Sequence, residues 1–153
     1  MIGEHQVNEV PGVSDDSDRR IVVGVDGSEG SLRALEWAAH QAELTDFTLE
    51  IVGAWEWPSG FGWASIPEGY EPERDAHEVL APILASLRTA YPHLTITSKV
   101  IEGYPAPVLV EESRGAKLLV VGRRGHGELL SMLVGSTSEH CVANAACPVV
   151  VLR

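Results

Sequence analysis

The sequence of 153 residues has only two cysteines, no long apolar run, and half as many basic residues as acidic ones. Cys141 and Cys147 are too few for a disulfide-stabilised scaffold, and we expect both to be reduced thiols. A membrane helix needs about 18 consecutive apolar residues, and the N-terminus lacks the basic-then-apolar order of a signal peptide. We therefore expect a soluble, cytoplasmic protein without a membrane partner.

The 22 acidic and 11 basic residues give a formal net charge of -11. This balance argues against a broad nucleic-acid surface, because phosphate backbones bind basic patches. Residues 1–75 contain sixteen acidic and four basic residues, whereas residues 76–153 contain six acidic and seven basic ones. We therefore expect any anion-binding site in the second half, where Arg123 and Arg124 are adjacent.

The chain divides into a short polar tail and one domain. Residues 1–18 are rich in Ser and Asp and include Pro11 and Gly12, which predicts a flexible acidic tail. The remaining residues, 19–153, have the length of a single domain, and 44% hydrophobic residues in the whole chain are enough to build a core.

Apolar runs and helical stripes alternate through this domain. The runs predict buried strands at residues 20–25, 49–54, 94–100, 117–121 and 148–152. The stripes predict helices at about 31–44, 76–87 and 105–113, with a fourth after Gly135. Pro82 lies inside the second stripe and predicts a kink, or a helix whose firm part begins there. The alternation predicts a single doubly wound α/β domain, with a mostly parallel sheet and helices on both faces.

A glycine-rich segment directly follows the predicted strand at 117–121. It contains Gly122, Arg123, Arg124, Gly125, His126 and Gly127. Glycines allow the backbone to turn tightly and approach a ligand, and successive N–H groups in such a turn form a concave anion site. The helix predicted to begin near Ser136 adds unpaired N–H groups and a favourable dipole. Together these features predict a polyphosphate site.

Each feature also has an explanation that needs no ligand. Ser136-x-x-Glu139 has the spacing of a capping box, the glycines suit an ordinary strand-to-helix connection, and the arginines suit a solvated surface. Two other phosphate motifs are excluded. A P-loop needs a lysine, and none follows Lys117. The first turn, from Gly24 to Gly30, lacks the G-x-G-x-x-G spacing of a dinucleotide site.

The spacing of the glycines resembles a sequence motif of a known family. Gly122-x2-Gly125-x9-Gly135-Ser136 matches the G-2x-G-9x-G-[S/T] motif of the ATP-binding branch of the universal stress protein family. Four flanking blocks lie where that family places them: VVGVDGS, LEIVGAW, KLLVVGRRG and CPVVVLR. The resemblance covers about residues 19–153 and implies a Rossmann-like, five-stranded parallel sheet of order 3-2-1-4-5.

The resemblance also implies a nucleotide site where the strand order reverses. It places Gly24, Val25 and Asp26 beside the nucleotide, and Ala54 against the adenine by backbone contact. It also implies that the segment from Gly122 to Gly127 surrounds ribose and phosphates. This segment includes Arg123, Arg124, Gly125 and His126. The phosphate tail is held by Gly135, Ser136 and Thr137. Asp26 faces adenine, ribose or a phosphate-bound Mg²⁺, or else satisfies backbone N–H groups at the helix entry.

The function implied is that of an ATP- and Mg²⁺-binding stress-response regulator whose nucleotide modulates its contacts with an unidentified protein partner. No residue set resembles a placed general base, so we do not expect an enzyme beyond slow ATP hydrolysis. The alternatives are a slow ATPase or phosphotransferase, a nucleotide-free interaction module, and a binder of AMP or cyclic AMP. The resemblance further implies a homodimer through Val149–Leu152. Such pairing is physically reasonable, since an apolar edge strand favours pairing.

Aromatic residues are concentrated in the predicted loop from Trp55 to Glu73. They are Trp55, Trp57, Phe61, Trp63 and Tyr70. They would form a lid near the adenine, a partner surface, or simply the packing that anchors a long loop. A metal site at His140, Cys141 and Cys147 is disfavoured, because their spacing matches no usual zinc pattern.

Overall fold

The computed structural model describes residues 19–58, 66, 68–123 and 135–153. The predicted tail at 1–18 lies outside the described residues, as do Phe61, Trp63 and the segment from Arg124 to Gly127. Nine elements follow one another in strict alternation: β1 (Arg20–Gly24), α1 (Glu29–Thr45), β2 (Thr48–Trp55), α2 (Pro72–Ala90), β3 (Ile96–Glu102), α3 (Pro105–Glu112), β4 (Leu118–Gly122), α4 (Ser136–Asn144) and β5 (Val149–Leu152).

The strands form one parallel sheet of order β3-β2-β1-β4-β5. This confirms the doubly wound α/β fold and the strand order that the resemblance implied. The three central strands are rich in β-branched and leucine residues because helices cover both of their faces. Val22 and Val23, consecutive residues of β1, are both fully buried and point to opposite faces.

Each face of the sheet has its own apolar core. On one face, α1 and α2 pack on Ile21, Val23 and Ile51, and Leu80 of α2 is buried among them. On the other face, α3 and α4 pack on Val22, Val52 and Leu119. The crossovers are long enough for a helix each, and the two helix layers enclose the sheet.

Two predicted boundaries are wrong in an informative way. The helix α2 begins at Pro72 and continues through Pro82 to Ala90. One of the two alternatives, a regular helix that begins only at Pro82, is therefore wrong by ten residues. Pro72 occupies the first turn, where a missing N–H costs nothing. β3 begins at Ile96 and ends at Glu102, two residues later than predicted at each end. Among the described residues, no helix is both long and apolar enough to cross a bilayer.

Candidate functional site

The reversal of strand order lies between β1 and β4. The chain leaves β1 toward α1 on one face and leaves β4 toward α4 on the other, so the switch point of the sheet lies beyond Gly24 and Gly122. In open α/β sheets ligands bind in a crevice at this switch point, and we use the word crevice for this place. The helices α1 and α4 begin on opposite sides of it.

Gly122 is required by packing against α1. A Cβ built on it would lie 2.5 Å from the carbonyl carbon and 2.6 Å from the oxygen of Gly30, and 2.9 Å from the amide nitrogen of Ser31. All three are backbone atoms, so no side chain can swing away to make room. The glycine was predicted to let the backbone approach a ligand. In the structure its demonstrated role is to bring β4 and the first turn of α1 into contact.

Asp26 organises the entry to α1. Its Oδ1 accepts hydrogen bonds from the Ser28 amide at 2.9 Å and from the Ser28 hydroxyl at 2.5 Å. Ser28 is the N-cap, and its Oγ accepts from the Ser31 amide at 3.3 Å. The interpretation of Asp26 as a residue that satisfies backbone N–H groups at the helix entry is therefore confirmed.

Ala54 lies beyond the end of β1. In the β1–β2 ladder Gly24 is opposite Val52, and the Val25 amide donates to the Val52 carbonyl at 2.9 Å. Ala54 lies two residues after Val52 along β2, beyond the last residue pair of that ladder, and its backbone groups face the β1 side. This edge of β2 therefore borders the crevice, and its polar backbone atoms are suited to contact a planar base.

The start of α4 is tied to the end of β4. The Gly135 amide donates to the Arg123 carbonyl at 2.7 Å, and the Arg123 amide donates to the Leu152 carbonyl, also at 2.7 Å. Ser138 secures the same turn, since its buried Oγ donates to the carbonyls of Gly135 at 2.9 Å and Arg123 at 3.2 Å. These bonds hold Gly135, Ser136 and Thr137 directly beside the carboxyl end of β4.

The predicted capping box at Ser136-x-x-Glu139 is wrong. The N-cap is Gly135, which has no side chain, and no side chain among the described residues caps this helix. Ser136 is instead the first helical residue. The backbone amides of the first turn of α4 therefore lie beside the carboxyl end of β4.

The structure thus brings together nine of the predicted site residues: Gly24, Val25, Asp26, Ala54, Gly122, Arg123, Gly135, Ser136 and Thr137. Arg124, Gly125, His126 and Gly127 lie outside the described residues. Sequence reasoning missed Gly30, Ser31 and Ser138, which shape the two helix starts. The STSEH segment gave a signal for Ser138, because a serine in the first turn commonly bonds a nearby carbonyl.

A second polar cluster, at the amino-terminal half of the sheet, was not predicted. Arg20 contacts Glu50, and also lies 3.6 Å from a carboxylate oxygen of Glu112. Lys99 Nζ lies 2.7 Å from Glu112 and 3.3 Å from Glu50. Arg20 further donates to the carbonyls of Glu112 and Arg114 at 3.1 and 3.0 Å. We call Arg20, Glu50, Lys99 and Glu112 the charge cluster.

Burial and pairing shift two pKa values in the charge cluster. The hydrogen bond to Glu112 and the attraction of Glu50 raise the pKa of Lys99, against the opposing effect of burial. Burial favours a higher pKa for Glu112, but its interactions with Lys99, Glu50 and Arg20 outweigh burial and lower it. The cluster therefore holds α3 against β1, β2 and β3 in a charge-balanced state.

Cys141 lies in α4 and Cys147 in the connection to β5, and both are free thiols. Burial raises the pKa of Cys141 to about 11, which makes it a poor nucleophile. Within the described part of the chain, no group of three His, Cys, Asp or Glu side chains is placed to hold a metal ion.

The sequence and the fold both match known proteins. A family model described as the universal stress protein family matches residues 18–153. A universal stress protein of Mycobacterium tuberculosis is 38% identical over 139 residues, which cover 87% of this chain and 44% of that protein. One from Mycolicibacterium smegmatis is 34% identical, with 87% and 47% covered. The chain spans about half the length of these curated relatives.

Solved structures of similar fold include nucleotide complexes. A universal stress protein in complex with cAMP is 26% identical with a TM-score of 0.65, covering 88% of this chain and 96% of that one. An Archaeoglobus fulgidus protein in complex with dAMP has a TM-score of 0.64 at 22% identity, with 88% and 97% covered. At that lower identity the match supports the fold alone.

Proposed function

We propose that this chain, which belongs to the universal stress protein family, binds an adenine nucleotide in the crevice between β1 and β4. The observation that carries the proposal is the convergence of main-chain groups there. The edge of β2 at Ala54, the β1 exit at Gly24 to Asp26 and the start of α4 at Gly135 all border one opening. The adenine would lie against Ala54 and the phosphates against α4.

The uncapped start of α4 favours ATP over a monophosphate. A helix N-terminus stabilises an anion through its backbone amides and its dipole, and this helix begins with Ser136 and Thr137, whose hydroxyls can donate to a phosphate. Arg123 is held at the same turn by its backbone. A nucleotide with three phosphates reaches more of these donors than AMP or cyclic AMP does. Mg²⁺ would bind with the polyphosphate.

The role we propose is regulatory, in a stress response in the cytoplasm. We do not propose a catalytic role for Asp26, because its Oδ1 accepts two hydrogen bonds from Ser28 and so organises the entry to α1. Nucleotide binding would then act by changing which partners the protein contacts. We also propose a homodimer through β5, because Val149–Leu152 forms the edge of the sheet and an apolar edge favours pairing.

Calorimetric titration of the full chain with ATP, AMP and cyclic AMP, with and without Mg²⁺, tests the proposal. We expect ATP with Mg²⁺ to bind most tightly. Arg123→Gln should weaken ATP binding about tenfold, because a charge-assisted hydrogen bond contributes about 1.5 kcal/mol or more. AMP binding should change less. Arg114→Gln, at the opposite edge of the sheet, is the matched control and should leave both affinities unchanged.

The same titration separates the alternatives. No heat with any nucleotide would overturn the proposal and favour a nucleotide-free interaction module. Tighter binding of cyclic AMP than of ATP would reassign the ligand. For catalysis, single-turnover hydrolysis should be slow and equal in the wild type and Asp26→Ala. A rate that depends on Asp26 would show that the protein is an ATPase.

A further inference from the structure

A cavity of about 450 Å³ lies beyond the carboxyl end of β2, where α2 begins. Its lining includes Trp55, Trp57, Glu71, Pro72, Glu73 and His77. Arg74 also borders it. The volume is that of a small organic ligand, and the proposed nucleotide site does not use any of these side chains.

Two indole rings form one side of the cavity. The rings of Trp55 and Trp57 have centroids 6.0 Å apart and planes inclined at 77°, and Tyr70 packs on Trp57 at 6.2 Å and 69°. Trp57 lines the cavity and is 48% exposed, so nearly half of this large apolar residue is accessible to solvent. Nearly perpendicular rings beside one cavity allow a guest to contact aromatic surface from two directions.

The surroundings of the cavity are strongly acidic. Between Trp55 and Glu78 the sequence has six acidic residues and one arginine, a net charge of -5. That arginine, Arg74, is already paired with Glu71 at 2.9 Å and with Glu78 at 3.2 Å. Of the residues that line the cavity, Glu71 and Glu73 are acidic and Arg74 is basic, a formal charge of -1 with His77 neutral. This balance favours a cation over a phosphate at the same end of the sheet as the proposed nucleotide site.

A simpler explanation accounts for part of this pattern. Glu73 and Asp75 lie in the first turn of α2, where acidic side chains favourably complement the helix dipole. The dipole explains neither the half-exposed Trp57 nor the aromatic pair at the same opening. Aromatic walls with flanking carboxylates are the combination that binds quaternary and alkylated ammonium groups.

We propose that this cavity binds a small organic cation of the alkylammonium class. The indoles of Trp55 and Trp57 attract the cation through their negative ring faces and cover its methyl groups. Glu73 supplies the charge that selects a cation over a neutral molecule of the same shape, because Glu71 already pairs with Arg74. The ligand carries its positive charge on an alkylated nitrogen and has few other polar groups, because the cavity wall is largely apolar.

Choline chloride is the probe, and 3,3-dimethyl-1-butanol is its neutral isostere, in which carbon replaces the charged nitrogen. The full chain is titrated with each by calorimetry, and the methyl resonance of the probe is followed by proton NMR. We expect choline to bind, with an upfield shift of its methyl signal from the aromatic rings. The neutral isostere should bind at least tenfold more weakly. Titration with sodium chloride at matched ionic strength corrects for non-specific screening.

Variants locate the site. Trp57→Leu should weaken choline binding at least fivefold and abolish the upfield shift, and Glu73→Gln should weaken binding about threefold while retaining the shift. Glu43→Gln, an exposed carboxylate of α1, is the charge-matched control and should change neither. Circular dichroism and thermal melting confirm that each variant is folded.

Three outcomes of the titrations and the variants would overturn the proposal. They are the absence of choline binding by the folded wild type at millimolar concentration, equal binding of the neutral isostere, and equal weakening by Glu43→Gln and Glu73→Gln. Displacement of choline by AMP in direct competition would also overturn it, because the cavity would then be part of the nucleotide site.

Discussion

The two ends of the parallel sheet are held together by different kinds of contact. At the carboxyl end, main-chain hydrogen bonds join the exit of β4 to the start of α4, and Gly122 closely approaches Gly30 of α1. Short-range side-chain bonds of Asp26, Ser28 and Ser138 fix the two helix starts. At the amino-terminal half, ion pairs of the charge cluster join α3 to three strands. The charge cluster therefore links four elements, whereas the side-chain bonds at the end that borders the candidate site link a strand exit to the helix that follows it.

This difference has a physical reason. A ligand competes with any network of side chains that spans its site. Short-range contacts fix the geometry of the two helix starts without ion pairs between distant elements. The charge cluster can then contribute to stability at a distance from the site, so substitutions at the two ends should have separable effects on stability and on nucleotide binding.

The largest expected loss of stability follows from Arg20→Met. The side chain of Glu50 is 7% exposed, and without Arg20 it retains only Lys99 as a cationic partner. The carbonyls of Glu112 and Arg114 also lose their donor. Breaking a buried ion pair by removing one member costs about 3–5 kcal/mol. Urea denaturation should show a loss of this size, with nucleotide affinity of the folded protein retained.

Two further variants show whether the loss comes from the unpaired carboxylate. Arg33→Met removes an exposed arginine that pairs with Glu29 within α1, and it should cost less than about 1 kcal/mol. Arg20→Met combined with Glu50→Leu should recover most of the loss, because an apolar pair often replaces a buried ion pair without penalty. If the double variant is less stable than Arg20→Met alone, the cluster acts by more than pairing.

The next largest loss of stability is expected for Gly122→Ala, at the carboxyl end of the sheet. Its new methyl group would meet the backbone of Gly30 at 2.5 Å, and overpacking typically costs roughly 1–3 kcal/mol. The measurement is again the free energy of unfolding in urea. This variant is therefore unsuitable as a test of nucleotide contact, because it disturbs the helix that shapes the crevice.

Gly24→Ala is the matched control for Gly122→Ala. Its Cβ would lie 2.7 Å from Cδ1 of Leu109, the flexible end of a side chain that can rotate away. Replacing glycine by alanine also restricts the unfolded chain and so stabilises by about 0.4–1 kcal/mol. We expect a change near zero. Equal losses in the two variants would show that the backbone at Gly30 yields as easily as a side chain.

Sequence patterns predicted the fold well because the strands are continuous apolar runs and the helices carry apolar stripes. The start of α2 was missed, since Pro72-Glu73-Arg74 offers no apolar periodicity and a helical first turn at proline is visible only in three dimensions. The packing role of Gly122 was missed for a related reason. Position 122 must be glycine because the backbone of Gly30 approaches it closely, and Gly30 is distant in the sequence.

The charge cluster could have been anticipated in part. Glu50 interrupts the apolar run of β2, and a carboxylate in a strand covered on both faces requires a partner. The partners themselves come from β1, β3 and α3, and only the sheet order brings them together. Among the site residues, the glycine spacing located β4 and α4 correctly, whereas the absence of a capping side chain on α4 depended on the backbone conformation of Gly135.

A smaller effect is expected in the reactivity of Cys141, which reports on opening of α4. The thiol is fully buried, so it should react with a maleimide only when α4 opens. ATP that binds the start of α4 should slow this reaction, and at ten times its dissociation constant the protection is about elevenfold. Cys147→Ser provides the background for the measurement. Unchanged labelling with ATP bound would separate α4 from the nucleotide site.

The smallest predicted effect is the pH dependence of the charge cluster. The pKa of Glu112 is lowered from its ordinary value of 4.5, so its pairing stabilises the fold above that pH and the contribution is lost as pH falls through the lowered value. The pKa of Lys99 is raised from 10.5, so its contribution is present below that pH and is lost as pH rises through the raised value.

The lowered pKa of Glu112 predicts how one substitution behaves on acidification. The stability difference between wild type and Glu112→Gln should shrink below about pH 4.5, the ordinary value of this carboxyl. The exposed neighbour Glu111 provides the control, Glu111→Gln, whose difference should remain small throughout. A difference for Glu112→Gln that stays constant on acidification would mean that this carboxylate holds α3 by packing, and the contrast between the two ends of the sheet would then not rest on charge.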